Sequence, residues 1–303
     1  MTLFGIRPGL AFWLVVAVWA TTPLTINWSV DGLSPLWGLA GRLWLGLAVA
    51  LPLLMLVMRR PLPLDRSALR VYAAAALGIF GTMILVYHAA VHIPSGVLAV
   101  VFGLVPIMTS ILATLFLSER TLTPLRIAGM MLALAGLALV FRDQLTLAPG
   151  AWLGVLAVAA ATLVHASSTV LVKRQGDTLD GMTVTTGALL LTAPLLLGLV
   201  LVLEPQIPAL PPWRTLAAVA WLGIAGSVVG FMLYFHALRH LPASRLGLIP
   251  LMTPVLALVL ATLLNGERFP PATWAGFAAV IGGLALHESP HLRRWWPHKP
   301  HRW

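Results

Sequence analysis

Residues 88–120 read HAAVHIPSGVLAVVFGLVPIMTSILATLFLSER, and residues 236–268 read HALRHLPASRLGLIPLMTPVLALVLATLLNGER. Laid over each other at a shift of 148 positions, the two stretches align without a gap. Leucine and alanine matches are expected in so apolar a chain, so the weight rests on rarer pairs: His88/His236, His92/His240, Pro94/Pro242, Pro106/Pro254, Thr114/Thr262, Glu119/Glu267 and Arg120/Arg268. Agreement at all of these positions points to an internal duplication.

Working outward, the composition sets the class. The chain of 303 residues is 59% hydrophobic and 9% charged, where a soluble domain carries roughly a quarter charged residues. Ten apolar stretches, each near the ~20 residues a bilayer requires, fall at about 10–30, 35–58, 68–92, 95–117, 124–141, 149–172, 182–203, 213–238, 243–264 and 271–287. The expected fold is an all-α polytopic membrane protein. No cysteine is present, which excludes disulfide frameworks and thiolate metal sites. No small-residue cleavage pattern follows the first stretch, so it reads as a helix and not as a removed leader.

A net charge of +10 is compatible with a nucleic-acid partner, but its distribution says otherwise. With both termini placed in the cytoplasm, 15 of the 19 Lys and Arg fall on the cytoplasmic side, the asymmetry that orients membrane proteins. The basic excess is then a topology signal, with some attraction of the tail RRWWPHKPHRW to anionic lipid. Trp28, Trp37, Trp213, Trp274, Trp295 and Trp296 near span ends suit interfacial belts. Ten spans divide five and five, and an odd number inverts the second half relative to the first. The expected units are 1–146, an inverted 147–290 and a basic cytoplasmic tail 291–303, with a substrate site near the midplane where the halves meet.

The nine acids all map to loops or span ends. An embedded carboxylate is the usual mark of an ion path or of a cation site. Its lack disfavours a cation exporter and predicts facilitated or weakly proton-dependent transport. Arg42 alone among the cations lies within a span. Two readings stand: it snorkels to the outer interface, or it anchors a substrate carboxylate at the outer mouth. His88/His92 and His236/His240 sit at i and i+4 on one helix face, which suits helix-end hydrogen bonding, a proton relay or a metal. With no cysteine or embedded acid to complete a shell, no metal and no cofactor is expected. His88 beside Tyr87 and His236 beside Tyr234 are the better cavity candidates. They are joined by Trp19 at mid-span, and by His165 with Ser167, Ser168 and Thr169 in span six. These polar groups can equally be interhelical glue. Pro106 and Pro254, matched across the repeat, read as hinges or as static kinks, and Glu119–Arg120 as helix-end charges.

Several of these features occur together in one known family. Trp19 stands four residues before Pro23, Ser34–Pro35 precedes Arg42, a proline precedes a glutamate by 13 residues in both halves, and paired glycines follow at Gly129/Gly136 and Gly276/Gly283. In these the chain resembles the EamA family of the drug/metabolite transporter superfamily, with most similarity to bacterial exporters of aromatic amino acids. The resemblance implies ten transmembrane helices as two inverted five-helix repeats, with a central cavity lined mainly by spans 1, 3, 4, 6, 8 and 9. Arg42 departs from the duplication: Leu189 or a neighbour stands opposite it.

The expected function is export of small zwitterionic or neutral metabolites, aromatic or hydrophobic amino acids first, across a bacterial inner membrane by a monomer. Its partners are the substrate and the lipid bilayer, with no nucleic acid. The alternatives are export of other metabolites or drugs on the same fold, or a non-transporting receptor or lipid-handling protein. A lipid-linked-sugar flippase subunit on the same fold is a third alternative; it would need a lateral opening with basic headgroup contacts, which the sequence does not display. No nucleotide, zinc-protease or nucleophile-elbow motif is present, so no enzymatic activity is expected.

Overall fold

The computed structural model describes residues 6–29, 32–90, 92–119, 122–145, 148, 150–175, 178–265 and 270–295. Glu267, Arg268 and the tail from 296 onward lie outside them. Among the described residues ten helical rods follow one another: α1 (Pro8–Ile26), α2 (Pro35–Val57), α3 (Arg66–Ala90), α4 (Ser95–Leu117), α5 (Pro124–Val140), α6 (Trp152–Arg174), α7 (Gly181–Leu203), α8 (Trp213–His240), α9 (Ala243–Leu260) and α10 (Pro271–Trp295). Among the described residues there is no strand, and eight of the rods are long and apolar enough to cross a membrane. The chain is a multi-pass membrane protein. In lipid every backbone polar group must be satisfied within the protein, and each helix does this on its own.

Starts are set by caps. Ser34 and Thr123 accept the N–H of Trp37 and Arg126 ahead of a proline in the first turn, while Asp65 and Asp180 each accept two first-turn N–H groups. Among the described residues, π-helical segments occupy Leu53–Val57 within α2, Leu77–Gly81 within α3 and Leu222–Val229 within α8. The α3 segment, moved by the repeat shift, falls inside that of α8, whereas the α2 segment has no π-helical counterpart in α7. The α4 rod breaks after Phe102 and resumes at Val105, and α9 breaks after Leu246 and resumes at Ile249.

Packing between the halves follows from small residues. Where neighbouring helices have no hydrophobic drive toward each other, close backbone approach supplies the attraction. A Cβ placed on Gly129 would lie 2.6 Å from the Gly283 carbonyl, and one on Gly276 2.6 Å from the Gly136 carbonyl. Counted from Pro124 and Pro271, which open α5 and α10, Gly129 and Gly276 are equivalent positions of the two halves, as are Gly136 and Gly283. The crossed pairing means that α5 and α10 run antiparallel, each meeting its own counterpart. Equivalent helices that oppose each other are related by an axis across their length, so the repeats are inverted. The remaining contacts exchange in the same way: α1 packs on α8 and α9, while α6 packs on α3 and α4, and α2 and α7 pack on each other.

The ends of the bundle are tied by polar groups. Ser34 at the start of α2 donates to Glu204 at the end of α7, and Arg60 after α2 meets Asp180 at the start of α7 at 2.7 Å. Glu119, after α4, crosses to the other half and accepts the N–H of Ala243 at 2.9 Å and the Ser244 hydroxyl at 3.2 Å. It is therefore more than a helix-end charge against a loop: it caps the start of α9.

Candidate transport site

The π segment of α8 organises the site. The N–H of Gly230 bonds to the carbonyls of Ala225 and Ser227 and skips that of Gly226, the partner a regular α-helix would supply. The carbonyl thus released accepts the indole N–H of Trp19, on α1, at 3.1 Å. The indole then lies stacked on Tyr234, with centroids 5.4 Å apart at 25°, and edge-on to Phe231 at 5.5 Å. A buried tryptophan needs a partner for its N–H, and this one takes it from the irregular turn.

The next residue of the same segment holds Arg42. The side chain of Arg42 is 3% exposed, and its Nε donates to the Ser227 hydroxyl at 2.9 Å. The snorkelling reading is thereby corrected: the guanidinium turns inward because a hydroxyl of the opposite half receives it. Tyr87 on α3 is its electrostatic neighbour. Among the described residues no carboxylate pairs with it, and its terminal nitrogens make no hydrogen bond there. Burying a guanidinium with one neutral partner is costly, so the two free nitrogens form an open fork of the kind that grips a carboxylate.

On the far side of the aromatic stack, Thr169 of α6 donates to the His165 carbonyl at 2.9 Å and accepts the Tyr234 hydroxyl at 2.7 Å. His165 lies edge-on to Phe102 at 5.6 Å and 6.2 Å from Tyr234, and its Nε2 is buried without a hydrogen-bond partner. Helices α1, α2, α3, α4, α6 and α8 therefore converge on one locus, drawn from both halves.

Of the residues singled out from sequence, Trp19, Arg42, Tyr87, His165 and Tyr234 are brought together. Three others stand apart. His88 is exposed, with its ring against His92 of its own helix at 4.6 Å. His236 is buried, but its Nε2 faces the Ile6 carbonyl at 3.1 Å, ahead of α1. Ser168 donates to the Ala74 carbonyl at 2.7 Å and so joins α6 to α3. His92 and His240 each bond through Nδ1 to the carbonyl four residues back, at 2.8 Å. Pro106 sits in the first turn after the α4 break, where a missing N–H costs nothing. Pro254 lies inside the second piece of α9, five residues beyond its start. Sequence reasoning named Thr169 in the span-six cluster but passed over Ser227, Gly226 and Phe231. The run LGIAGSVVG at 222–230 was the available signal, since clustered glycines in a span mark a departure from regular helix.

A cavity opens sideways between α1, α9 and α10, with a volume of about 550 Å³ and an almost wholly apolar lining. The lateral opening that sequence did not display is thus present in the fold.

The sequence pattern of the EamA-like transporter family matches residues 7–142 and again residues 152–287. The chain is similar to Protein PecM of Dickeya dadantii, 28% identical over 235 residues, with 77% of this chain and 78% of that one covered. It is similar to a probable terminal-alkyne amino-acid exporter of Streptantibioticus cattleyicolor, 27% identical over 286 residues and 90% of each chain. The uncharacterized inner membrane transporter YedA of Escherichia coli is 25% identical over 299 residues, 94% of this chain and 90% of its own. A solved crystal structure superposes with a TM-score of 0.81 over 92% of this chain and 97% of that chain, at 23% identity.

Proposed function

The chain belongs to the EamA-like transporter family, and from that premise we propose that it exports small amino acids with aromatic or hydrophobic side chains across a bacterial inner membrane. That it is a membrane transporter of small molecules follows from the family. The amino-acid substrate is the finer reading, and one observation carries it: the buried fork of Arg42, unpaired by any carboxylate among the described residues, beside the Trp19–Tyr234 stack. A carboxylate and an apolar ring joined by a short linker satisfy both. The name of the Streptantibioticus relative, a probable exporter of an amino acid, supports the same class.

In this reading both termini lie in the cytoplasm and 1–146 rocks against 147–290, exposing the locus to each side in turn. The tail 291–303 stays at the cytoplasmic surface. The driving force is the substrate gradient, with at most weak dependence on protons, because the locus holds no carboxylate among the described residues. A drug-cation exporter is the less favoured reading, since Arg42 would repel its cargo. The deciding experiment is counterflow in proteoliposomes with radiolabelled phenylalanine, leucine, alanine and phenylethylamine. Exchange of the amino acids but not of the amine supports the proposal. Exchange of the amine at equal or higher rate, or of none of the four, overturns it.

A further inference from the structure

The lateral cavity is separate from the Arg42 locus. Its walls are Phe12 and Val16 of α1, Met252 and Leu256 of α9, and Phe277 and Ile281 of α10. It opens outward from the bundle: Trp13 is 59% exposed and Ile281 47% exposed, and a Cβ placed on Gly9 would meet nothing within 4 Å. One end is polar. Arg245, at the start of α9, and Glu288, near the end of α10, both line it and pair with each other at 2.7 Å. From Glu288 to Phe277 is eleven residues of helix, about 16 Å, close to half of the ~30 Å hydrocarbon core. The cavity therefore runs from a span end to mid-bilayer, the depth one acyl chain occupies.

We propose that this cavity holds one acyl chain of a zwitterionic phospholipid of the phosphatidylethanolamine type, its headgroup set on the Arg245–Glu288 pair. The lining is apolar along its length, so only a chain without polar groups fills it without loss. Among the described residues that line it, the polar end carries one charge of each sign. A phosphate meets the guanidinium and an ammonium meets the carboxylate, whereas a purely anionic headgroup would face Glu288 with like charge. The surrounding bilayer supplies the occupant directly, from the side on which the cavity is open.

The test is lipid retention. Protein reconstituted in nanodiscs of equimolar phosphatidylethanolamine and phosphatidylglycerol is extracted into mild detergent, and the bound lipid is read by native mass spectrometry. The expected result is one tightly held phosphatidylethanolamine, preferred by about fivefold, the discrimination one headgroup charge contact supplies. Gly9→Phe, which fills the mouth from an open position, should abolish retention while leaving the thermal transition in detergent unchanged. Glu288→Gln should erase the preference or turn it toward phosphatidylglycerol. Wild type that retains no lipid, prefers phosphatidylglycerol, or is unaffected by Gly9→Phe overturns the proposal. So does displacement of the lipid by phenylalanine, which would make the cavity a substrate path. Apart from the phenylalanine arm, these readouts do not depend on which solute is transported.

Discussion

Arg42→Gln separates a transport residue from a structural one. In the folded protein the Nε of Arg42 is taken by Ser227, which leaves two terminal nitrogens for a ligand. A hydrogen bond to a charged partner contributes about 1.5–3 kcal/mol, and a two-pronged grip is less than additive. The loss of carboxylate recognition should therefore be about 2–4 kcal/mol, or roughly 30- to 700-fold in affinity. Gln keeps a donor for Ser227 while removing a poorly compensated buried charge, so the variant should unfold at the same or a higher temperature. Arg42→Lys keeps the charge but cannot hold Ser227 and both carboxylate oxygens at once, and should fall between the two. The assay is equilibrium binding of radiolabelled phenylalanine to purified protein, beside thermal unfolding in detergent. Wild-type affinity in Arg42→Gln refutes the carboxylate assignment. Unfolding of the variant at a clearly lower temperature shows that the arginine serves the fold.

Three further expectations follow from particular contacts. Trp19→Ala should lower counterflow of phenylalanine more than that of alanine, because stacking and apolar contact scale with side-chain area; Trp19→Phe should keep the ring but leave the Gly226 carbonyl unpaired, at about 1 kcal/mol in thermal stability. Gly129→Ala would push a methyl to within 2.6 Å of the Gly283 carbonyl, so α5 and α10 must separate, at about 1–3 kcal/mol, read as earlier unfolding in detergent with Gly282→Ala, whose Cβ has room, as the control. Glu119→Gln weakens the cap on Ala243 and Ser244; since the chain has no cysteine, a single cysteine at Ser95 or Arg245 reports the two ends cleanly, and the one at Arg245 should react faster with a thiol reagent in the variant.

Much of the architecture was legible because it is written in residue type and spacing. Spans follow from apolar length, and the inversion follows from an odd helix count together with a repeat carried by His, Pro and Glu. The paired glycines were visible as well, though not their crossed pairing, which depends on how two helices meet. The π segments of α3 and α8 were hidden, since they arise from register and leave only a glycine-rich run as a trace.

Grouping of the site residues failed wherever neighbours in sequence were taken as neighbours in space. Tyr234 and His236 stand two apart on one helix, and residues at that spacing face different ways: one meets Trp19, the other Ile6. Ser168 and Thr169 divide likewise between α3 and α8. For Arg42 the sequence left two readings open, because its partner Ser227 lies 185 residues away.

The central claim is that substrate sits on the α8 π segment between the two halves. Photolabelling with radiolabelled benzoyl-phenylalanine, an aromatic amino acid with a reactive ketone, tests it most directly. Adducts on Phe231, Tyr234 or the α1 segment around Trp19, suppressed by phenylalanine but not by phenylethylamine, are the predicted result. Adducts confined to Trp13, Met252 or Ile281 in the lateral cavity, or labelling that the amine suppresses as well as the amino acid does, would contradict it.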